Sequence, residues 1–238
     1  MEETVLKKCS RCIGRGRRGN AMLEFALAMS LLVPLFAGMF SIGIMMSKGI
    51  EVGNVCEDAV LLLVDSVTNP NSGLDLSQPQ NQRIIVRAAS GLGMASDALF
   101  DPSSTGTAVV ILSKVVMVGP TECSLGVVPA PPSAPPWNSS NCPNYGQYVF
   151  EYRVGFGNTT RWSSKIGSPP AGLVMSNGNI SATDIATNPG DITTTFGTSV
   201  MTLSPSSFAL VSEMWADVSN VNLFSIWMTP IVYSRTVS

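Results

Sequence analysis

The stretch RGRRGNAMLEFALAMSLLVPLFAGMFSIGIMM, residues 15–46, decides how this chain is organised. A basic leader ends in glycine and runs into a long apolar segment that carries one acid, Glu24. Residues 25–46 contain no charged side chain. At about 1.5 Å per residue a helix of that length reaches roughly 33 Å, enough to cross a hydrocarbon core of about 30 Å. The run is too long for the apolar region of a secretory signal, roughly 7 to 15 residues, and no A-x-A-like cleavage site follows it at 47–53. A transmembrane helix over 20–47 is expected.

Charge sets its orientation. Lys7, Lys8, Arg11, Arg15, Arg17 and Arg18 all precede the apolar run, whereas the other flank offers only Lys48 before Glu51, Glu57 and Asp58. By the positive-inside rule residues 1–19 stay in the cytoplasm and residues 48–238 are exported. Glu24 is what a plain anchor leaves unexplained, because a charge at mid-membrane costs on the order of 2.5 to 3.5 kcal/mol and less near the interface. One reading holds it at headgroup level beside Arg17 and Arg18. The order Gly19, four residues, Glu24, Phe25 and then unbroken apolar sequence offers another.

With RRGNAMLEFALAMSLLVPLFAGMF the chain resembles a type IV prepilin, and more closely the TadE-like minor pseudopilins of tight-adherence (Tad, or Flp) pilus systems. The resemblance implies cleavage by a prepilin peptidase between Gly19 and Asn20, which makes Glu24 the fifth residue of the mature chain and Phe25 the sixth. Physical chemistry gives such a cut two consequences. It removes the six basic side chains, each worth about 1 kcal/mol of attraction to an anionic leaflet. It also creates an α-amino group, mostly protonated at neutral pH, with which Glu24 of a neighbouring subunit would pair, offsetting the desolvation of both. The likeness extends to the end of the chain, FALVSEMWADVSNVNLFSIWMTPIVYSRTVS, through Glu213, Pro230 and the pair Ser234 and Arg235, with Met214 as a departure after the glutamate. The length of 238 residues favours a minor, tip or priming subunit over the repeating shaft. Implied partners are the prepilin peptidase, other pilin and pseudopilin subunits reached through the N-terminal helix, and the bacterial inner membrane.

Composition narrows the alternatives. Beyond Gly19 the 16 acids lose only Glu2 and Glu3 while the 14 bases lose six, so the remainder is mildly acidic. Its bases are scattered, and a nucleic-acid surface needs them clustered. Histidine is absent, which removes the commonest general base and metal ligand. No G-x-S-x-G or S-x-x-K motif and no compact acidic cluster appears. No enzyme activity, catalytic residue, cofactor, metal or small-molecule substrate is expected. Cys9 and Cys12 form a lone C-x-x-C in the leader, two ligands short of a zinc site. Cys123 and Cys142 flank a proline-rich loop in the exported part, where a disulfide is the expected pairing. Cys56 is then the odd thiol, packed as a small hydrophobe or available for an intermolecular bridge.

The expected fold class is α+β and pilin-like. The first helix continues past the membrane, with Val55, Ala59, Leu62 and Leu63 at helical spacing, and ends before the breaker at 69–73. A second helix is expected over 80–99. Strands follow at 109–118, at 147–156, where Tyr148, Phe150, Tyr152, Val154 and Phe156 alternate with polar residues, and at 208–218 and 227–237. They make an antiparallel sheet of about four strands packed on the first helix. Loop-rich insertions are expected at 120–146, which contains Trp137, and at 163–205, where little belongs to a core. A second reading of the whole is an uncleaved single-pass protein that presents an extracytoplasmic binding domain.

Overall fold

The computed structural model describes residues 16–68, 76, 79–94, 106–127, 136–219 and 231–238. The elements are α1 (Gly16–Thr68), α2 (Pro79–Ala88), a 3-10 turn (Ser90–Leu92), β1 (Ala108–Met117), α3 (Pro120–Gly126), β2 (Tyr148–Gly157), α4 (Ala182–Thr187), a 3-10 turn (Pro189–Asp191), α5 (Phe196–Ser199), β3 (Phe208–Asp217) and β4 (Ile231–Val237). They fall into two compact units, one holding residues 16–46 and the other the described residues from 47 onward.

In the first unit α1 shows apolar side chains on every side, from Met22 through Leu27, Leu31, Phe36 and Phe40 to Met46. A helix hydrophobic all round is stable only where lipid or other apolar groups surround it. The most apolar 18-residue stretch within Asn20–Val67 has a mean hydropathy of 2.1 and is 6% buried, so this helix is long and apolar enough to cross a membrane. Pro34 lies inside it and, lacking an N–H, leaves the Ser30 carbonyl without its usual helical donor.

The second unit is built on a four-stranded sheet in the order β2-β1-β3-β4, every neighbouring pair antiparallel. One face is covered by α1 and α2. Val52, Val55, Cys56, Ala59, Val60 and Leu63 recur along one stripe of α1 and meet Ala108, Val110 and Leu112 of β1 and Leu210 and Met214 of β3 in a single core cluster. Each valine, leucine or methionine among them stabilises by roughly 1.5 to 3 kcal/mol when fully removed from water. Cys56 is buried there, its thiol 3.1 Å from the Ser212 carbonyl oxygen. Lys48 pairs with Glu51 at 2.6 Å and donates to the Gly91 carbonyl at 3.0 Å, tying α1 to the turn after α2.

That turn shortens the second helix. Its regular part stops at Ala88, and Gly93 takes φ +83°, where a side chain is disfavoured. Ala95 and Leu99, assigned to the same helix from sequence, lie outside the described residues, as do the breaker at 69–73, residues 128–135 of the proline-rich loop and residues 227–230.

The alternation read in β2 is also interrupted. Lys114 opposes Tyr152 while Val115 opposes Phe150, so Glu151 is an extra residue, a β-bulge. Beyond it Tyr152, Val154 and Phe156 face the α1 cluster, whereas Val149 and Phe150 both enter a second core. The bulged Glu151 holds Lys114 at 2.7 Å.

The second core corrects the expectation that 163–205 contributes little burial. Ile166, Ile180, Ile185, Ala186 and Phe196 all belong to it, packed against Val115, Val149, Ala209 and Val211, with Trp137 at its margin. Residues 178–193 also run along the outer edge of β2, with Arg153 N–H donating to Gly178 O at 2.7 Å, Ile180 N–H to Glu151 O at 3.0 Å and Thr193 N–H to Tyr148 O at 2.8 Å. α3 packs on α4 so closely that a Cβ at Gly126 would stand 2.5 Å from that of Ala186. Cys123 on α3 is bonded to Cys142, 19 residues on. Replacing both by serine removes a loop constraint worth about 3 kcal/mol, and urea unfolding of the detergent-solubilised protein followed by tryptophan fluorescence is expected to show that loss.

Candidate functional site

Two places in the described structure concentrate chemistry, one in each unit. The first is the start of α1. The helix begins at Gly16, so Arg17, Arg18, Gly19, Asn20, Glu24 and Phe25 all lie on one helical backbone. Asn20 and Glu24 are four residues apart and therefore on the same face. Both are exposed, as is Phe25. A Cβ built at Gly38 or Gly43 meets nothing within 4 Å, so the apolar surface beyond Glu24 is open to close approach at both points. Lys7, Lys8, Arg11 and Arg15 lie outside the described residues, with Cys9 and Cys12.

The second place is the sheet face away from α1. Glu213 on β3 is 0% exposed, and its register neighbours are Ile111 on β1 and Arg235 on β4. A buried carboxylate must be met by donors, and three reach it. The Tyr233 hydroxyl donates to Oε1 at 2.8 Å, the Lys165 N–H donates to the same oxygen at 3.1 Å, and the Ser164 hydroxyl donates to Oε2. Burial, then the hydrogen bond and charge of Glu213, push the Tyr233 phenol well above its ordinary range.

Arg153 on β2 donates to Ser113 Oγ at 2.8 Å and to Ser168 Oγ at 3.0 Å. Its guanidinium is pulled down to about 10 by burial, with Glu213 acting the other way. Arg235 donates to the Ser199 carbonyl at 3.0 Å. Lys165 Nζ sits 3.9 Å from the Tyr233 ring centroid, and that ring lies 4.7 Å from Trp215. Segment 162–168 is thereby strapped over a charged sheet centre.

Sequence reading singled out Glu213 and the pair Ser234 and Arg235, and the register sets Glu213 opposite Arg235; Pro230 lies outside the described residues. It missed Ser164, Arg153 and Tyr233 as members of the same network. Only Tyr233 and Arg153 had a signal, since each stands in a strand at a position facing the glutamate. The network meets one buried carboxylate with three donors and so ties segment 164–165 and β4 to β3. Among the described residues no group of three or more His, Cys, Asp and Glu stands ready to hold a metal.

A second buried acid behaves differently. Asp191, at the end of a 3-10 turn, is 0% exposed, and neither carboxylate oxygen has a hydrogen-bond partner within ordinary geometry. Nearby Asp184 is satisfied by Ser181 and Asn188, which hold its carboxyl below the usual range. Asp191 is instead pushed up to about 7, first by burial and second by the Asp184 charge, against the opposing pull of the Phe150 amide.

Searches against protein-family models, curated proteins and solved structures give no match to this chain.

Removing the Tyr233 hydroxyl with Tyr233→Phe leaves buried Glu213 one donor short and is expected to cost about 1 to 3 kcal/mol in urea unfolding. Asp191 gives a pH signature. Its folded carboxyl is pushed up to about 7 against 3.8 unfolded, so its own contribution to stability is full below pH 3.8, falls as pH rises to about 7, and is level above. Asp191→Asn is expected to flatten that fall, which unfolding midpoints of the two proteins across the range will show.

Proposed function

We propose that this chain is a minor pilin-like subunit: inserted with its N-terminus in the cytoplasm, cut after Gly19 by a prepilin peptidase, and used in priming or tipping a Tad-type pilus on a bacterial surface. The observation that carries the reading is Glu24, a single acid at the head of an apolar helix, five positions beyond a glycine that closes a basic leader. A helix N-terminus bears partial positive charge, so after the cut an acid in the first turn or so is favoured there by about 0.3 to 1 kcal/mol. The new ammonium at Asn20 lies one turn from Glu24 on the same face and offers a partner within the subunit or from its neighbour. The exposed apolar surface of residues 22–46 supplies the contact by which such helices bundle. The exported unit serves recognition or assembly and carries no catalysis on this reading.

One observation favours the second reading, an uncleaved anchor that presents a binding domain. The bond between Gly19 and Asn20 lies three residues inside α1, and a peptidase needs that turn opened before it can act. The two readings separate at the N-terminus. Protein recovered from membranes and from sheared surface material is expected to begin at Asn20 where the prepilin peptidase is active, and at Met1 where it is deleted. Gly19→Leu is expected to block the cut, and Glu24→Ala to leave it intact while depleting the surface fraction about tenfold or more. An intact leader in cells with active peptidase would overturn the proposal.

A further inference from the structure

The inner faces of α1 and α2 are spent on the sheet, but their outer faces are not. On α1, Asn54, Glu57, Asp58 and Leu61 are exposed, and on α2 Arg83, Ile84, Arg87 and Ala88 are exposed. Leu61 is 56% exposed and Ile84 is 46% exposed, each at the middle of its helix face. Between the two helices runs a groove of about 330 Å³ with an apolar floor that includes Val55, Ala59, Leu62 and Ile85.

Charge is sorted between the two helices, although only Asp58 and Asp65 of their charged residues line the groove itself. Residues 49–68 of α1 contain Glu51, Glu57, Asp58 and Asp65 and no base, whereas Pro79–Ala88 contains Arg83 and Arg87 and no acid. Asp65 and Arg83 already engage other groups. Asp58 and Arg87 enter no ion pair seen among the described residues.

We propose that this two-signed surface docks a second copy of the same chain across a two-fold axis, the acidic face of α1 in each copy lying on the basic face of α2 in the other. A foreign helix of one charge would satisfy the outer face of one helix and be repelled by that of the other. A second copy presents both signs in matching order, so each contact between Asp58 and Arg87 occurs twice, as an isologous interface requires. The same rotation sets Leu61 of each copy over the Ile84 face of the other and covers both of these exposed aliphatic side chains. The contact uses neither Gly19 nor Glu24, so it stands or fails apart from the processing described above.

The test uses the full chain in its own membrane. With p-benzoylphenylalanine replacing Leu61, irradiation is expected to give a covalent dimer whose cross-linked peptide joins the Leu61 site to residues 79–94 of the other copy. Dimer is expected with the leader cut and equally in cells lacking the peptidase. A link only to another protein, or no dimer, overturns the proposal. Asp58→Arg and Arg87→Glu are each expected to lower the dimer yield about tenfold, and the two together in one chain to restore it to within about twofold. A double variant that dimerises no better than either single one overturns the charge exchange. Formation of the bond between Cys123 and Cys142 in each variant shows that the exported unit has folded.

Discussion

The second unit depends on covering β1 from both sides. Of its ten residues eight are buried, so neither face of the sheet centre tolerates water. One cover comes from the stripe on α1 running from Val52 to Leu63, the other from the irregular segment that follows β2. Two antiparallel pairs flank β1, which gives it a complete ladder, and β3 on its other side is buried along most of its length. The bulge at Glu151 is how one strand serves both covers. It lets Tyr152 and Phe156 face the helices while Phe150 turns into the second core, an exchange that a strict two-residue alternation forbids.

Burial on that second side brings charge with it. Glu213 sits in the interior because the strand register places it there, and the surrounding segment supplies donors from Ser164, Lys165 and Tyr233. Replacing only one of those groups exposes the full desolvation of a carboxylate, while all of them together make the site tolerable. Asp191 lacks such a set and answers by holding its proton to higher pH. Both are local solutions, found within one chain, and the bonds to Glu213 from Ser164 and Lys165 fix that segment to the sheet it covers.

Periodicity carried the first helix and the strand cores from sequence, because each buries a regular face and a regular face leaves a regular pattern. The stripe through Val55, Ala59 and Leu63 is legible for that reason. The second core is not, because Ile166, Ile180, Ile185 and Phe196 come from short turns separated by glycine, proline and asparagine, with no period to read. The bulge was hidden likewise, since Tyr148 to Phe156 alternates perfectly and only the opposing strand shows that one residue is extra. Of the polar network, Glu213 and Arg235 were visible only as a resemblance. Their relation to Ser164 depends on a loop fold that no local pattern encodes.

Glu24 poses the problem of Glu213 with the opposite answer. Among the described residues of its own unit nothing but its own helix surrounds it, and most of the apolar side chains that follow are likewise exposed. A carboxylate so placed is held cheaply at an interface and at greater cost in hydrocarbon, unless a positive group enters with it. The chain contains no base between Gly19 and Lys48. The positive group must then come from the leader side chains just upstream, from a newly made terminal ammonium, or from another molecule. Under the proposed function, cutting the leader would remove the first source and create the second, so the event that frees the helix from the cytoplasmic leaflet would also give its acid a partner that every identical subunit carries. An interaction left open in the single chain thus becomes, on that account, the one that makes subunits need each other.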